Sequence, residues 1–131
     1  MEQLKFMLID DDPATHIYHR LMIEEAGYDL EEVETFTSVD EAISALKNAI
    51  LTGQVELIPQ YIVLDLNMPI KDGWDFLEEC EQVLLSDPKP EVYVVSNSEH
   101  PSDVQKAEAY QIVKGFRNKF LESDFFTSLP K

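Results

Sequence analysis

Short apolar runs recur along the chain and alternate with longer segments in which apolar residues return every three or four positions. The densest runs lie at residues 4–9, 61–64 and 92–95, and weaker strand signals lie at 32–37 and 115–119. Runs of this length are typical of β-strands, and the continuity of the runs at 61–64 and 92–95 favours burial on both faces. The pattern therefore predicts five short strands.

The segments that follow these strands carry helix signals. Pro13 suits a first helical residue with Asp12 as its N-cap, and residues 38–41 (SVDE) match a capping box. Gly27 and Gly53 suit helix ends. We expect five helices, which cover residues 13–26, 39–50, 74–84, 101–111 and 123–129.

Strand and helix thus alternate five times, which predicts a parallel sheet with helices on both faces. No internal repeat, linker or low-complexity segment interrupts the pattern. The predicted fold is a doubly wound α/β domain, (βα)5, and one such domain fills residues 1–131.

The first predicted helix carries both an apolar stripe and two histidines. We expect the stripe to face the core, and we expect His16 and His19 to lie at the surface or its rim. The residues of the stripe are Ala14, Ile17, Tyr18, Leu21, Met22 and Ala26.

The composition suits a folded domain that does not insert into membranes. The 131 residues are 44% hydrophobic, which is enough for a core. No apolar run approaches the roughly 20 residues of a membrane-spanning helix, and the first residues lack the features of a secretory signal. Cys80 is the only cysteine, so neither an internal disulfide nor a cysteine metal cluster can form. A cytoplasmic location is the expectation.

The chain is strongly acidic. Its 26 acidic and 10 basic residues give a formal net charge of −16. This charge repels the phosphates of nucleic acids, so direct nucleic-acid binding is not expected. It favours a cation or a partner with a basic surface, although an acidic surface also serves solubility alone.

Polar residues stand at the ends of the predicted strands. Asp10 and Asp11 follow the first strand, Asp65 follows the third, Ser96 follows the fourth and Lys119 ends the fifth. In open α/β sheets, ligands bind at the carboxyl ends of the strands, near the point where the strand order reverses. We therefore expect three carboxylates, a hydroxyl and an ammonium to converge on one site.

Three crowded carboxylates repel one another unless a cation compensates their charge. Oxygen ligands of this kind suit Mg²⁺, and the lack of a nearby His or Cys argues against zinc. Beside such a metal, one carboxylate can act as a nucleophile toward a phosphoryl group while Lys119 shares the charge of the phosphoryl oxygens. Ser96 is placed to hold the resulting phosphate.

The motifs at these strand ends together resemble the receiver domain of two-component response regulators. They are LIDDDP at residues 8–13, VLDLNMPIKDG at 63–73, VVS at 94–96 and Lys119, in order over essentially the whole chain. The style is similar to the stand-alone receiver of chemotaxis. The resemblance implies a flavodoxin-like sheet with strand order 2-1-3-4-5, and a single receiver domain at residues 1–131 without an output domain.

The resemblance also implies which residues bind the metal and the phosphoryl group. Asp65 is the phosphoacceptor and a metal ligand. Asp11 ligates Mg²⁺ directly, and Asp10 acts mainly through a metal-bound water. The backbone carbonyl of Asn67 is a further protein ligand.

Three more residues acquire roles from the same resemblance. Ser96 moves toward the phosphate, Lys119 pairs with the phosphate, and Phe116 is the aromatic switch whose rotamer follows the hydroxyl.

Asp72 and Gly73 suit an ordinary turn, and we assign Asp72 no chemistry.

The chain departs from the family pattern in several places. The family usually has proline after the lysine, joined by a cis peptide, whereas this chain has Phe120. A cis peptide before a non-proline residue costs about 2.5–4 kcal/mol, so the sequence leaves open whether this peptide is cis or trans. Asn97 stands where the family has a small residue, which predicts narrower access to the phosphoacceptor. Asn67 and Ser98 occupy variable positions associated with phosphate lifetime. Residues 110–114 lack the usual small pair, so a different partner-binding face is expected.

The implied function is a phosphorylation-controlled signalling switch and not a turnover enzyme. A sensor histidine kinase or a histidine phosphotransfer protein donates the phosphoryl group, and a partner protein recognises the face formed by the fourth helix and fifth strand. One alternative is a Mg²⁺-dependent phosphohydrolase with an aspartyl nucleophile; Asn67 counts against it, because such enzymes carry a general acid at that position. The other alternative is an interaction module that works without phosphorylation.

Overall fold

The computed structural model describes residues 3–97 and 100–130, whose core is a five-stranded parallel sheet. The strands are β1 Phe6–Ile9, β2 Val33–Phe36, β3 Tyr61–Asp65, β4 Glu91–Ser96 and β5 Val113–Asn118. They lie side by side in the order β2-β1-β3-β4-β5, and all neighbouring pairs are parallel. The predicted α/β fold and its strand order are confirmed.

A helix follows each strand. The helices are α1 Pro13–Glu25, α2 Val39–Leu51, α3 Gly73–Val83, α4 Pro101–Glu108 and α5 Ser123–Ser128. Two short 3-10 turns, Leu30–Glu32 and Val55–Leu57, precede β2 and β3.

The sheet has an apolar core on each face because successive residues of a strand point to opposite sides. Met7 and Ile9 of β1 pack with residues of α2, α3 and α4, whereas Phe6 and Leu8 pack with residues of α1 and α5. Every residue of β1 and β3 is buried. This double burial explains why both strands are continuous apolar runs in the sequence.

The core-facing side of α1 differs from the predicted stripe. Ile17 and Leu21, which belong to the stripe, are 63% and 53% exposed. The prediction that His16 and His19 lie at the surface or its rim is wrong. Nε2 of each buried imidazole has a hydrogen-bond partner in the interior, which offsets part of the cost of burying a polar ring. Nδ1 of His16 has no such partner among the described residues. The buried residues of α1 are Thr15, His16, His19 and Ile23.

Side-chain caps fix the starts of the helices that border the carboxyl end of the sheet. Asp12 caps α1 as predicted, and its Oδ1 accepts the N–H of Ala14 at 2.9 Å. Asp72 caps α3 in a reciprocal box with Asp75, with donor–acceptor distances of 3.0 and 3.1 Å. Asp72 therefore has a structural role beyond that of a turn residue.

The bounds of β5 and α4 depart most clearly from the predicted ones. Val92 pairs with Val113 and Tyr93 pairs with Gly115, so a bulge lets β5 begin two residues earlier than predicted. The last helical residue of α4 is Glu108, three residues before the predicted end. The other bounds agree with prediction to within two residues.

A contact between a charged side chain and an aromatic side chain joins α3 to α4. The ammonium of Lys106 lies 4.3 Å from the centroid of the Trp74 ring, within the range of a cation–π interaction. Trp74 packs against the core, and Cys80 is buried within it. Within residues 3–97 and 100–130, no helix combines the length and apolar character needed to span a membrane.

Candidate functional site

Three carboxylates meet at the carboxyl end of the sheet. β1 and β3 are neighbours with Ile9 opposite Leu64, so the next residues, Asp10 and Asp65, come to the same edge. One carboxylate oxygen each from Asp10, Asp11 and Asp65 lies within 4.8 Å of the other two. Asp10 and Asp65 are buried, and Asp11 is exposed. The three predicted acidic residues are thus brought together.

Asp65 lies in an environment that disfavours its charge. Only 3% of its surface is exposed. Burial, and then repulsion from Asp10, raises the pKa of Asp65 above its ordinary value, although the N–H of Asn67 and the ammonium of Lys119 oppose this shift. The N–H of Asn67 donates to Oδ1 of Asp65 at 3.2 Å. A cation beside Asp65 would favour its carboxylate form.

Lys119 places an ammonium among these carboxylates. Its Nζ lies 2.7 Å from Oδ2 of Asp10 and 3.6 Å from Oδ2 of Asp65. Desolvation lowers the pKa of Lys119, but hydrogen bonding and attraction to Asp10 and Asp65 outweigh it, so the pKa lies above its ordinary value. Oδ1 of Asp10 also accepts the N–H of Asp12 at 2.9 Å. One ammonium against three carboxylates leaves the cluster attractive to a cation.

The donor set fits a hard divalent cation such as Mg²⁺. The three side chains offer carboxylate oxygens only, and the exposed Asp11 opens the cluster to water, which Mg²⁺ retains in its coordination shell. His16 lies beside Asp10 but directs its Nε2 to the backbone carbonyls of Asp10 and Phe36, at 2.8 and 3.0 Å. The chemistry of the cluster therefore agrees with the magnesium site expected from the sequence.

Ser96 and Lys119 are joined through the backbone at the same edge of the sheet. Ser96 ends β4, one residue beyond Val95, which is paired with Asp65 of β3. Ser96 is buried, and its carbonyl accepts the N–H of Lys119 at 2.9 Å. The fold thus brings both predicted residues to the edge that carries the carboxylates.

The peptide between Lys119 and Phe120 is cis, a geometry that the sequence left open. Two long-range hydrogen bonds flank this peptide. The N–H of Lys119 bonds to the carbonyl of Ser96, and the N–H of Leu121 bonds to Nε2 of His19 at 3.1 Å.

Phe116 lies beneath α4 and away from the carboxylates. It is paired with Val94 across β4 and β5, and it belongs to the buried core on the side of α2, α3 and α4. Its role as a switch stays a prediction, as does the assignment of the Asn67 carbonyl as a ligand. Asn97 is exposed, and Ser98 lies outside the described residues.

Three residues that shape the site were not among the predicted site residues. His16 links the ends of β1 and β2, and His19 contacts the segment after β5. A Cβ atom on Gly73 would lie 2.8 Å from the carbonyl oxygen of Asp65, so only glycine fits there. Residues 16, 19 and 23 are spaced as on one face of a helix, and this spacing was the signal that could have predicted burial of the two histidines. The stripe named in the sequence analysis is more apolar and therefore predicted a different buried face.

Comparisons with known proteins agree with the fold and the site. Residues 6–124 match the family model of the response regulator receiver domain. A two-component response regulator from Cytophaga hutchinsonii is similar in structure, with a TM-score of 0.79 and 28% identity over 95% of this chain and 91% of that one. A comparison with curated protein sequences found no match.

Two further solved structures share the fold. A response regulator receiver protein from Dyadobacter fermentans DSM 18053 has a TM-score of 0.76 and 24% identity, over 94% of this chain and 91% of that one. A two-component response regulator from Legionella pneumophila has a TM-score of 0.77 and 20% identity, over 93% of this chain and 91% of that one.

The parallel sheet, the acidic pocket and the family model together define the class as signalling modules of two-component systems. The chain belongs to the response regulator receiver family. Membership implies phosphorylation-dependent signalling and interaction with histidine kinases or phosphotransfer proteins. Receiver domains typically bind Mg²⁺ in an acidic pocket, and Asp10, Asp11 and Asp65 form such a pocket in this chain.

Proposed function

We propose that this receiver acts in a cytoplasmic phosphorelay, in which Asp65 accepts a phosphoryl group from a histidine of a sensor kinase or a phosphotransfer protein. The observation that carries the proposal is the cluster of three carboxylates within 4.8 Å, with the Lys119 ammonium 2.7 Å from Asp10 and 3.6 Å from Asp65. This arrangement combines a nucleophilic oxygen, a cation site and a fixed positive charge.

In the proposed site, Asp10, Asp11, Asp65 and the backbone carbonyl of Asn67 hold Mg²⁺. When bound, the ion neutralises negative charge that develops on the phosphoryl oxygens. The exposure of Asp11 and the burial of Asp65 support these proposed roles. Asp11 is open to solvent, from which the ion would arrive, whereas the proposed nucleophile Asp65 is shielded from water.

The proposed transfer is a single displacement at phosphorus. A carboxylate oxygen of Asp65 attacks, the new O–P bond forms, the P–N bond of the phosphohistidine breaks, and its electron pair returns to the imidazole. Lys119, held by Asp10, shares the charge of the transferring oxygens. The Ser96 hydroxyl then donates a hydrogen bond to the aspartyl phosphate.

The phosphate would act on the surface formed by α4 and β5. Negative charge added beside Ser96 and Lys119 draws both residues toward the phosphate. Their movement biases a two-state equilibrium of the α4–β5 surface, and the rotamer of Phe116 changes with it. Among the residues of α4, only Ala107 is fully buried, so few apolar contacts oppose its movement. A partner protein of the relay reads the result.

The test is labelling with acetyl phosphate, with and without Mg²⁺, read by intact mass. We expect one phosphoryl adduct that requires the metal and is absent from Asp65→Asn. The P–O bond of the donor breaks and acetate leaves, so no kinase is needed.

Asp12→Asn is the matched control, because Asp12 neighbours the cluster but only caps α1. Its adduct should form as in the unaltered chain. Labelling that survives Asp65→Asn would show that another residue is the acceptor. Steady release of phosphate from small phosphomonoesters would favour the phosphohydrolase instead, and failure of the unaltered chain to label would favour an interaction module.

A further inference from the structure

Two backbone N–H groups of the segment that carries Lys119 donate long-range hydrogen bonds. On one side, the N–H of Lys119 donates to the carbonyl of Ser96 at 2.9 Å. On the other side, the N–H of Leu121 donates to Nε2 of His19 in α1 at 3.1 Å, in a buried position. His19 therefore anchors the backbone of this segment just after the lysine, while the neighbouring Tyr18 contacts its side chains, with a hydrogen bond to Glu122 at 2.6 Å.

The acceptor role requires a neutral imidazole with its proton on Nδ1. Burial lowers the pKa of His19 to about 4, with Lys119 and His16 acting in the same direction and Asp10 opposing them. The ring is thus uncharged at neutral pH, and its Nε2 lone pair is available to the Leu121 N–H.

Aromatic rings hold the imidazole in place. The ring centroids of Phe120, which directly precedes Leu121, and of Phe126 in α5 lie 6.0 and 6.3 Å from that of His19. Their inclined orientations are those favoured by aromatic pairs. A ring fixed in this way presents Nε2 to the segment in one orientation.

We infer that His19 is a positioning residue for Lys119: it accepts the Leu121 N–H and so holds the ammonium of Lys119 between Asp10 and Asp65. The inference rests on the proposed function, since it assigns His19 to the phosphorylation of Asp65. His19 is not one of the proposed metal ligands. It acts through the backbone, two residues beyond the lysine.

The experiment compares two replacements of His19 in the full chain. His19→Leu removes the acceptor, whereas His19→Gln retains one, because the glutamine Oε1 reaches about as far as Nε2. Both are also made together with Lys119→Met. Initial rates of adduct formation with acetyl phosphate and Mg²⁺ are measured by intact mass, and the amide exchange of Leu121 and Lys119 is measured by NMR without phosphodonor.

We expect His19→Leu to label about tenfold more slowly, which corresponds to the net free energy of one buried hydrogen bond. His19→Gln should recover most of the rate. In the Lys119→Met background, His19→Leu should have no further effect, because its action passes through the lysine. A Leu46→Val variant, on the opposite face of the sheet, should lose stability without losing rate.

Three results would overturn the inference: an unchanged rate in His19→Leu, the same slowing with and without Lys119, or no recovery in His19→Gln when that variant is folded. Amide exchange tests the anchor independently of labelling. Leu121 should exchange at least roughly tenfold faster in His19→Leu than in the unaltered chain, and unchanged exchange refutes the anchor. An unlabelled wild-type chain refutes the proposed function and the catalytic part of the inference, while the exchange data still decide the anchor.

Discussion

Asp65, the proposed phosphoacceptor, lies where its charge destabilises the metal-free protein. Its raised pKa means that the surroundings favour the neutral form of the side chain. Asparagine is a neutral side chain of the same shape and can still accept the Asn67 N–H. We therefore expect Asp65→Asn to raise the free energy of unfolding by roughly 1 kcal/mol without Mg²⁺, as measured by urea denaturation.

The pH dependence of the same variant checks the cause. Between the ordinary pKa of aspartate and the raised pKa of Asp65, the native state binds more protons than the unfolded state, so this group's contribution to stability falls as pH rises. The difference between Asp65→Asn and the parent should consequently grow as pH rises through this window and level off above it. A variant that is less stable than the parent throughout would contradict the account.

At the scale of single residues, the sequence located the acidic cluster because Asp10, Asp11 and Asp65 directly follow apolar strands. Parallel strands bring such positions to one edge whatever the details of packing. The roles of His16 and His19 could not be found in this way. His19 meets Leu121, which is 102 positions away in the chain, so its partner exists only once α1 and β5 are in place.

At the scale of the elements, the junction of β3 and α3 leaves no room for a side chain at residue 73. A Cβ at Gly73 would meet the carbonyl of Asp65 at 2.8 Å and Cα of Leu66 at 2.9 Å. Both contacts are with backbone, which cannot rotate aside. We expect Gly73→Ala to destabilise the protein by roughly 2 kcal/mol, measured by urea denaturation, and to slow labelling of Asp65, because the turn that carries this proposed acceptor must shift.

Gly27→Ala separates this steric effect from the backbone preferences of glycine. Gly27 has a φ of +100°, and a Cβ added there would have no atom within 4 Å. Its replacement should cost about 1 kcal/mol through strain and leave the labelling rate of the folded protein unchanged. Equal labelling defects in the two variants would argue against a specific effect at the β3–α3 junction.

The elements themselves were predictable because their signals are local. Apolar runs of differing density, apolar residues at helical spacing and cap residues such as Asp12 before Pro13 identified every strand and α-helix of the described fold. The bulge in β5 was not predictable, because it depends on pairing with β4, and the sequence left the geometry of the Lys119–Phe120 peptide open. Features that depend on contacts between distant residues carry no such local signal.

At the scale of the whole molecule, the net charge of −16 opposes the compact state through self-repulsion. Added NaCl screens this repulsion, so raising it from about 20 to about 300 mM should stabilise the protein by roughly 1 kcal/mol in urea denaturation. Mg²⁺ at the same ionic strength should stabilise it further, by about 2.7 kcal/mol at 100 times its dissociation constant.

Asp11→Asn distinguishes the two effects. The substitution changes the net charge by only one unit, so the stabilisation by NaCl should persist. It also removes one of the few proposed metal ligands, so the additional stabilisation by Mg²⁺ should weaken strongly. An undiminished Mg²⁺ effect in this variant would mean that the ion binds elsewhere on the acidic surface.

The pairing of Lys106 with Trp74 makes α4 visible without a label. Trp74 is the only tryptophan of the chain, and the ammonium 4.3 Å from its ring centroid belongs to α4. Any displacement of that helix alters the electric field at the indole, and with it the wavelength and yield of the emitted light. The fluorescence of Trp74 therefore reports on the position of α4, which belongs to the surface that is proposed to bind a partner protein.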